Sequence, residues 1–194
     1  MQFNIMWSGI EYHSLENCLA AFHGNSAHIR SSIVGSYDGK IYRLEYRLTT
    51  NGRGHTMSLE LNFQGDDKIR THQLIADGNG NWKHNGKAAP AFAGCIDVDI
   101  PLTPFTNTLP IRRLGLKPGE STEILVLYCD LLNDQLITVK QLYKCLSSTE
   151  YHYENVPNDF EANITSDEAG LVVDYPQLFV RINILEASYP EINE

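Results

Sequence analysis

Apolar and polar residues alternate one by one over long stretches of this chain, a pattern that strands accommodate and amphipathic helices do not. Tyr42, Leu44, Tyr46 and Leu48 alternate with Arg43, Glu45 and Arg47. Met57, Leu59, Leu61 and Phe63 alternate with Ser58, Glu60 and Asn62. The stretch 26–36 is rich in β-compatible residues and runs into Tyr37-Asp38-Gly39-Lys40, whose Asp-Gly pair suits the positive φ values of a two-residue hairpin turn. Gln64 to Lys68, Asp77 to Asn81 and Asn133-Asp134 are further turn signals. Segment 122–132 is apolar on both faces through Ile124, Leu125, Val126, Leu127 and Tyr128, which predicts a strand covered on both sides. Strands follow at 136–146, 150–156, 160–166, 171–174 and 178–185, and turn signals recur roughly every 8–14 residues, as in an all-β meander.

One stretch breaks the pattern. Thr103 to Gly115 contains Pro104 and Pro110 and does not alternate. It predicts one short helix at about residues 104–115, preceded by a 3₁₀ turn, with Thr108 as cap, Pro110 in the first turn and Gly115 at the end. No linker interrupts the 194 residues, so 1–194 reads as a single domain. Segments 41–82 and 137–172 echo each other weakly, as a duplicated unit would.

Charge narrows the class of partner. Residues 1–117 carry 12 basic and 10 acidic side chains, whereas residues 118–194 carry 3 basic and 14 acidic. An acidic second part excludes a nucleic-acid-binding module and argues against anionic lipid surfaces. No apolar run is long enough for a transmembrane helix. The N-terminal residues resemble no signal peptide, which points to a cytoplasmic protein. The dispersed cysteines, Cys18, Cys95, Cys129 and Cys145, read as reduced and mostly buried.

Motifs for chemistry are sparse. The histidines never fall at HxH or HxxxH spacing, so no metal site is expected. Asp77-Gly78-Asn79-Gly80-Asn81 starts like a calcium loop but has Trp82 where the glycine belongs and Ala88 where the final glutamate belongs. No nucleophile elbow, P-loop or dinucleotide fingerprint is present, and no cofactor or catalytic residue is assigned. The informative stretch is 94–114. A strand over 95–100 turns Asp97 and Asp99 to one side together, and two close carboxylates invite a cation. Arg112 and Arg113 follow past a turn. Two readings stay open: a buried ion-pair network that fixes the helix to the sheet, or a polar site for a hydroxylated or acidic headgroup with arginine as fork donor. Asp97 and Asp99 lie roughly 6.5–7 Å apart by strand rise, which also admits a glycosidase pair. The strand tyrosines, among them Tyr128 and Tyr153, suit a cavity wall facing a lipid or sugar.

Asp97-x-Asp99-x-x-x-Thr103-Pro104-Phe105-Thr106-Asn107-Thr108-Leu109-Pro110-Ile111-Arg112-Arg113-Leu114 resembles the signature of the bacterial family called Putative glycolipid-binding. Trp7 with Ser14-Leu15-Glu16, Tyr46-x-Leu48, Asp77-x-x-Gly80-x-Trp82, Gln141-x-Tyr143 and Gly170-Leu171-Val172-x-Asp174-Tyr175-Pro176 follow in the family's order. The chain departs from it at Asn51-Gly52-Arg53-Gly54-His55, where the family usually has an Asp and a Trp. The resemblance implies a mainly β fold: a long, mostly antiparallel sheet curled into a spiral β-roll around one short helix, often dimeric, with a central cavity for a lipid or glycolipid.

The residues and the resemblance together favour a non-catalytic binding protein for an amphipathic ligand, held between sheet and helix. Asp97, Asp99, Thr103, Phe105, Asn107, Thr108, Arg112, Arg113, Asp174 and Tyr175 are its candidate site. The acidic second part, Asp174 included, is expected to pair with Arg112 and Arg113 or to compete with a ligand for them. The alternatives are a hydrolase using Asp97 and Asp99, or a structural or dimerisation module without a small ligand.

Overall fold

The computed structural model describes residues 1–65 and 68–186. In chain order it contains β1 (Gln2–Gly9), β2 (Ser14–His23), β3 (Ser26–Tyr37), β4 (Lys40–Thr50), β5 (Thr56–Gly65), β6 (Lys68–Ala76), β7 (Trp82–His84) and β8 (Lys87–Ala88). A 3₁₀ turn (Pro90–Phe92), β9 (Asp97–Asp99) and α1 (Phe105–Leu114) follow. The second meander is β10 (Ser121–Asp130), β11 (Gln135–Cys145), β12 (Glu150–Val156), β13 (Glu161–Ser166), β14 (Val172–Tyr175) and β15 (Phe179–Glu186).

All 15 strands form one sheet, ordered β8 to β1 and then β15 to β9. The chain therefore begins in the middle of its own sheet. It meanders to the β8 edge, crosses to the β9 edge, and returns until β15 pairs with β1. Described neighbours pair antiparallel except β9 and β10, which are parallel. The sheet is not closed but curls around α1, which touches both meanders. Phe105 packs 6.4 Å from Trp7 and from Phe22, Asn107 bonds Tyr143, and Thr108 bonds Val172. Farther out, Arg70 of β6 donates to the Leu131 carbonyl at 2.9 Å, so the outer strands of the first meander reach the β10–β11 turn.

Alternation explains most of this. Tyr42, Leu44, Tyr46 and Leu48 of β4 and Leu59, Leu61 and Phe63 of β5 all face the core. Asp38 and Gly39 adopt φ of 48° and 73° in the predicted β3–β4 turn. Val126 and Leu127, adjacent on β10, are both buried, as a strand covered on both sides requires. The signalled turn Gln64 to Lys68 has its tip, residues 66 and 67, outside the described residues, between paired Gly65 and Lys68. The cysteines are free and buried.

The helix differs from expectation at its start. It begins at Phe105, with Pro104 as N-cap, so Thr108 is not the cap and Pro110 lies inside the helix. Proline supplies a preset φ at the entrance, and the hydroxyl of Thr103 accepts the Phe105 amide at 3.0 Å. The hydroxyl of Thr108 is thereby free to accept the Val172 amide of β14 at 3.4 Å. Gly115 closes the helix in the left-handed conformation, as expected. The 3₁₀ turn lies well before the helix, at Pro90–Phe92, and the strand expected at 95–100 shortens to β9.

Candidate functional site

β9 is an edge strand covered on both faces, and its two aspartates part ways. Asp97 is buried and accepts a fork from Arg113, with Nε to Oδ1 at 3.0 Å and Nη2 to Oδ2 at 2.5 Å. Burial raises the Asp97 carboxyl above the usual carboxylate range, and the Arg113 fork opposes it. Both oxygens accept N–H donors, which is the geometry of the ionised form. This pair ties the end of α1 to β9.

Asp99, also buried, turns elsewhere. Its oxygens accept the Thr106 hydroxyl at 3.1 Å and the Gln141 amide at 2.6 Å. Two residues along β11, the Tyr143 hydroxyl accepts the Asn107 amide at 2.9 Å. Gln141 and Tyr143 share a face of the strand, so the motif Gln141-x-Tyr143 receives the polar side chains of β9 and α1. Burial again raises the Asp99 carboxyl, against the two hydrogen bonds.

Asp99 forms part of a cleft of about 240 Å³. Thr103 and Asn107 line it beside Asp99, and Tyr12, Tyr128, Tyr153, Phe160, Tyr175 and Phe179 form aromatic walls. Burial raises the phenols of Tyr12, Tyr128, Tyr153 and Tyr175, with the Asp99 charge adding to the shift. All four stay protonated at neutral pH. The cleft thus offers hydroxyl groups, amides and two carboxyls, Glu11 and Asp99, between flat apolar faces, the chemistry that receives a hydroxylated ring.

The other predicted site residues lie apart from it. Phe105 is in the core against Trp7 and Phe22, and Thr108 is spent on β14. Arg112 stacks 4.1 Å over the Phe22 ring and donates to the Ala169 carbonyl. Asp174 makes no hydrogen bond or ion pair with Arg112 or Arg113 among the described residues. The acidic part reaches Arg112 instead through the β13–β14 turn, where Asp167 pairs with Arg181 at 2.6 Å and its charge acts on Arg112. Arg113 takes its partner from the first part. Glycines let two turns approach these arginines: Gly170, at φ 78°, would place a Cβ 2.9 Å from Arg112 Cγ, and Gly54, at φ 77°, would place one 3.2 Å from Arg113.

The departing loop Asn51–His55 is held by its own bonds. Asn51 Oδ1 accepts the Arg53 and His55 amides, and Arg53 donates to the Gly78 carbonyl. Asp77 accepts from Asn79 and Asn81, so the calcium-like sequence is a hydrogen-bonded turn. Sequence reasoning missed Tyr12, Asn155 and Phe160 in the cleft; all three come from connections or strand ends, where no periodicity marks a facing direction. A larger concavity, about 670 Å³, lies elsewhere on the outer face of β2 to β6, among side chains such as Arg30, Ser32, Arg47 and Asn62. Its one tyrosine, Tyr46, is buried with its hydroxyl on Glu16 in the core, so the groove lacks the aromatic walls of the smaller cleft, which is the better candidate.

A family model described as Putative glycolipid-binding matches residues 4–181. Among solved structures, the chain is similar to a DUF1089 family protein from Pseudomonas aeruginosa, at 37% identity and a TM-score of 0.77 over 86% of this chain and 92% of that one. It also aligns with a β-barrel-like DUF1849 protein from Brucella abortus, at 8% identity and a TM-score of 0.48 over 94% and 96% of the two chains. No curated protein matches.

Proposed function

The chain belongs to the Putative glycolipid-binding family, and from that premise we propose that it is a non-catalytic binding protein whose tyrosine-walled cleft receives the hydroxylated headgroup of an amphipathic ligand. The observation that carries this reading is Asp99, a buried carboxyl held by Thr106 and Gln141 within an aromatic cleft. Aromatic faces stack on sugar rings, while carboxyl and amide oxygens accept ring hydroxyls. At about 240 Å³ the cleft is smaller than the roughly 300–1,000 Å³ of most small-molecule sites, which suits a headgroup rather than a whole lipid. The space around α1 is filled by Trp7, Phe22 and Phe105. The apolar part of the ligand therefore leaves past Leu178 and Phe179, not through the centre of the roll.

A second reading, hydrolysis, is favoured by one observation: Glu11 also lines the cleft that Asp99 enters, and Asp99 is shifted toward its acid form. Asp97 has no part in it, being engaged with Arg113. The two readings separate in one experiment. Alkyl glycosides and glycolipids are titrated into the protein and into Asp99→Asn, and product release is followed in the same samples. We expect saturable binding without turnover, weakened about tenfold or more in the variant, for loss of roughly one charged hydrogen bond. Absence of binding across sugar and lipid classes would refute the proposal, and turnover lost in Asp99→Asn would establish the hydrolase instead.

A further inference from the structure

Behind one wall of the cleft, on the outer face of the sheet, three metal-ligating side chains converge. His152 and Glu154 stand two apart on β12 and share its outer face; Tyr153, between them, faces the cleft. On β13, Glu161 lies directly opposite Glu154 and Asn163 opposite His152. His152 Nε2 is 2.8 Å from a Glu154 oxygen and 3.9 Å from a Glu161 oxygen. One donor atom from each residue lies within 4.8 Å of the others. Zinc held by nitrogen and oxygen at about 2.0–2.2 Å spaces tetrahedral donors about 3.3 Å apart, and the two distances to Nε2 bracket that value.

The surroundings also fit a cation. Asn163 Oδ1 sits 2.9 Å from His152 Nδ1 and accepts its proton, which leaves Nε2 as the ring atom facing the carboxylates. Asn158 donates to Glu161 at 3.1 Å and orients it. Like charges directly opposite on neighbouring strands repel, yet Glu154 and Glu161 occupy such a position. Among the described residues neither is paired with lysine or arginine; Lys144, across from His152 on β11, pairs with neither. His152 alone bridges them.

We propose that His152, Glu154 and Glu161 bind a divalent transition-metal ion, with the remaining coordination positions open to water. An imidazole nitrogen with two carboxylates suits zinc better than magnesium or calcium, which favour all-oxygen shells. The ion sits between Nε2 and the two carboxylates, and it staples β12 to β13. The site stands apart from the headgroup reading, because its ligands face away from the cleft.

The test is calorimetric titration of Zn²⁺ into the metal-free protein, repeated with Co²⁺ and its visible absorption. One ion per chain is expected. His152→Ala and Glu161→Gln should each weaken binding at least tenfold. Asn163→Ala keeps all three donors but releases the ring, and should weaken it about tenfold. These side chains point outward, so the variants should keep the wild-type circular dichroism. No saturable one-to-one binding, unchanged binding in His152→Ala, or magnesium binding as tight as zinc would each overturn the assignment.

Discussion

Replacing Arg113 with alanine is expected to lower the unfolding free energy by about 3–5 kcal/mol, measured by urea denaturation. The size follows from what remains. Asp97 is 1% exposed, and both its oxygens depend on the arginine fork. Removal of the fork leaves a buried carboxylate that must either stay unpaired or take up a proton. The pair itself need not stabilise the fold by that amount, because both charges were desolvated to form it. The double variant Asp97→Leu with Arg113→Met should therefore lose distinctly less than Arg113→Ala. Equal losses would show that packing, not the stranded charge, sets the cost.

Glu16 should make stability fall as pH rises. Its side chain is 2% exposed on the inner face of β2. One oxygen accepts Ser31 at 2.6 Å and Tyr46 at 2.9 Å, while the other has no partner. Burial pushes the carboxyl up from 4.5 to about 7, against those hydrogen bonds. The folded protein therefore holds this proton more tightly than the unfolded chain does. The stability it contributes is full below the unfolded value and is lost as pH rises through 4.5 to about 7. A shift of that size is worth about 3 kcal/mol. Glu16→Gln keeps the shape without the titration, so its stability relative to wild type should rise by about that amount between about pH 4 and about pH 8. A constant difference across the range would mean that Glu16 is not held in its acid form. Asp97 and Asp99 are also shifted upward, but they are present in both proteins and cancel in the difference.

Glu16 also illustrates where the chain was hard to read. Its neighbour Leu15 is exposed while Glu16 is buried, so at these two positions β2 inverts the polarity that marks strands β4 and β5. Strands whose inner face is purely apolar were legible from period alone, and so was the Asp38-Gly39 turn, since few dipeptides accept two positive φ values. The helix was legible in place but not in phase. Pro110 looked like a first-turn residue because proline removes an interior bond, yet the helix accepts it one turn later. At the candidate site, Asp97 and Asp99 were found by their shared spacing, but their different partners were not. Asp97 meets a residue 16 positions away on α1, and Asp99 one 42 positions away on β11, two strands along the sheet, and spacing in sequence reveals neither partner. Asp174 failed as a partner for the arginines because Arg113 pairs with Asp97 and the acidic charge near Arg112 comes from the turn before Asp174. Gly170 lets that turn approach Arg112, and Asp167 supplies the charge. The aromatic cleft combines Tyr12, from the β1–β2 turn in the middle of the sheet, with Tyr128, from β10 beside its β9 edge, a combination that no local pattern contains.

Headgroup recognition in this cleft would leave its mark on the cleft's own tyrosines and amides. Nuclear magnetic resonance titration with a short alkyl glycoside, with tyrosine rings and backbone amides observed, tests it directly. Saturable shifts are expected at Tyr12, Tyr128, Tyr153 and Tyr175 and at the amides of Asp99 and Asn107. Shifts gathered instead around Arg30 and Arg47 in the outer groove, with the cleft tyrosines unmoved, would contradict it.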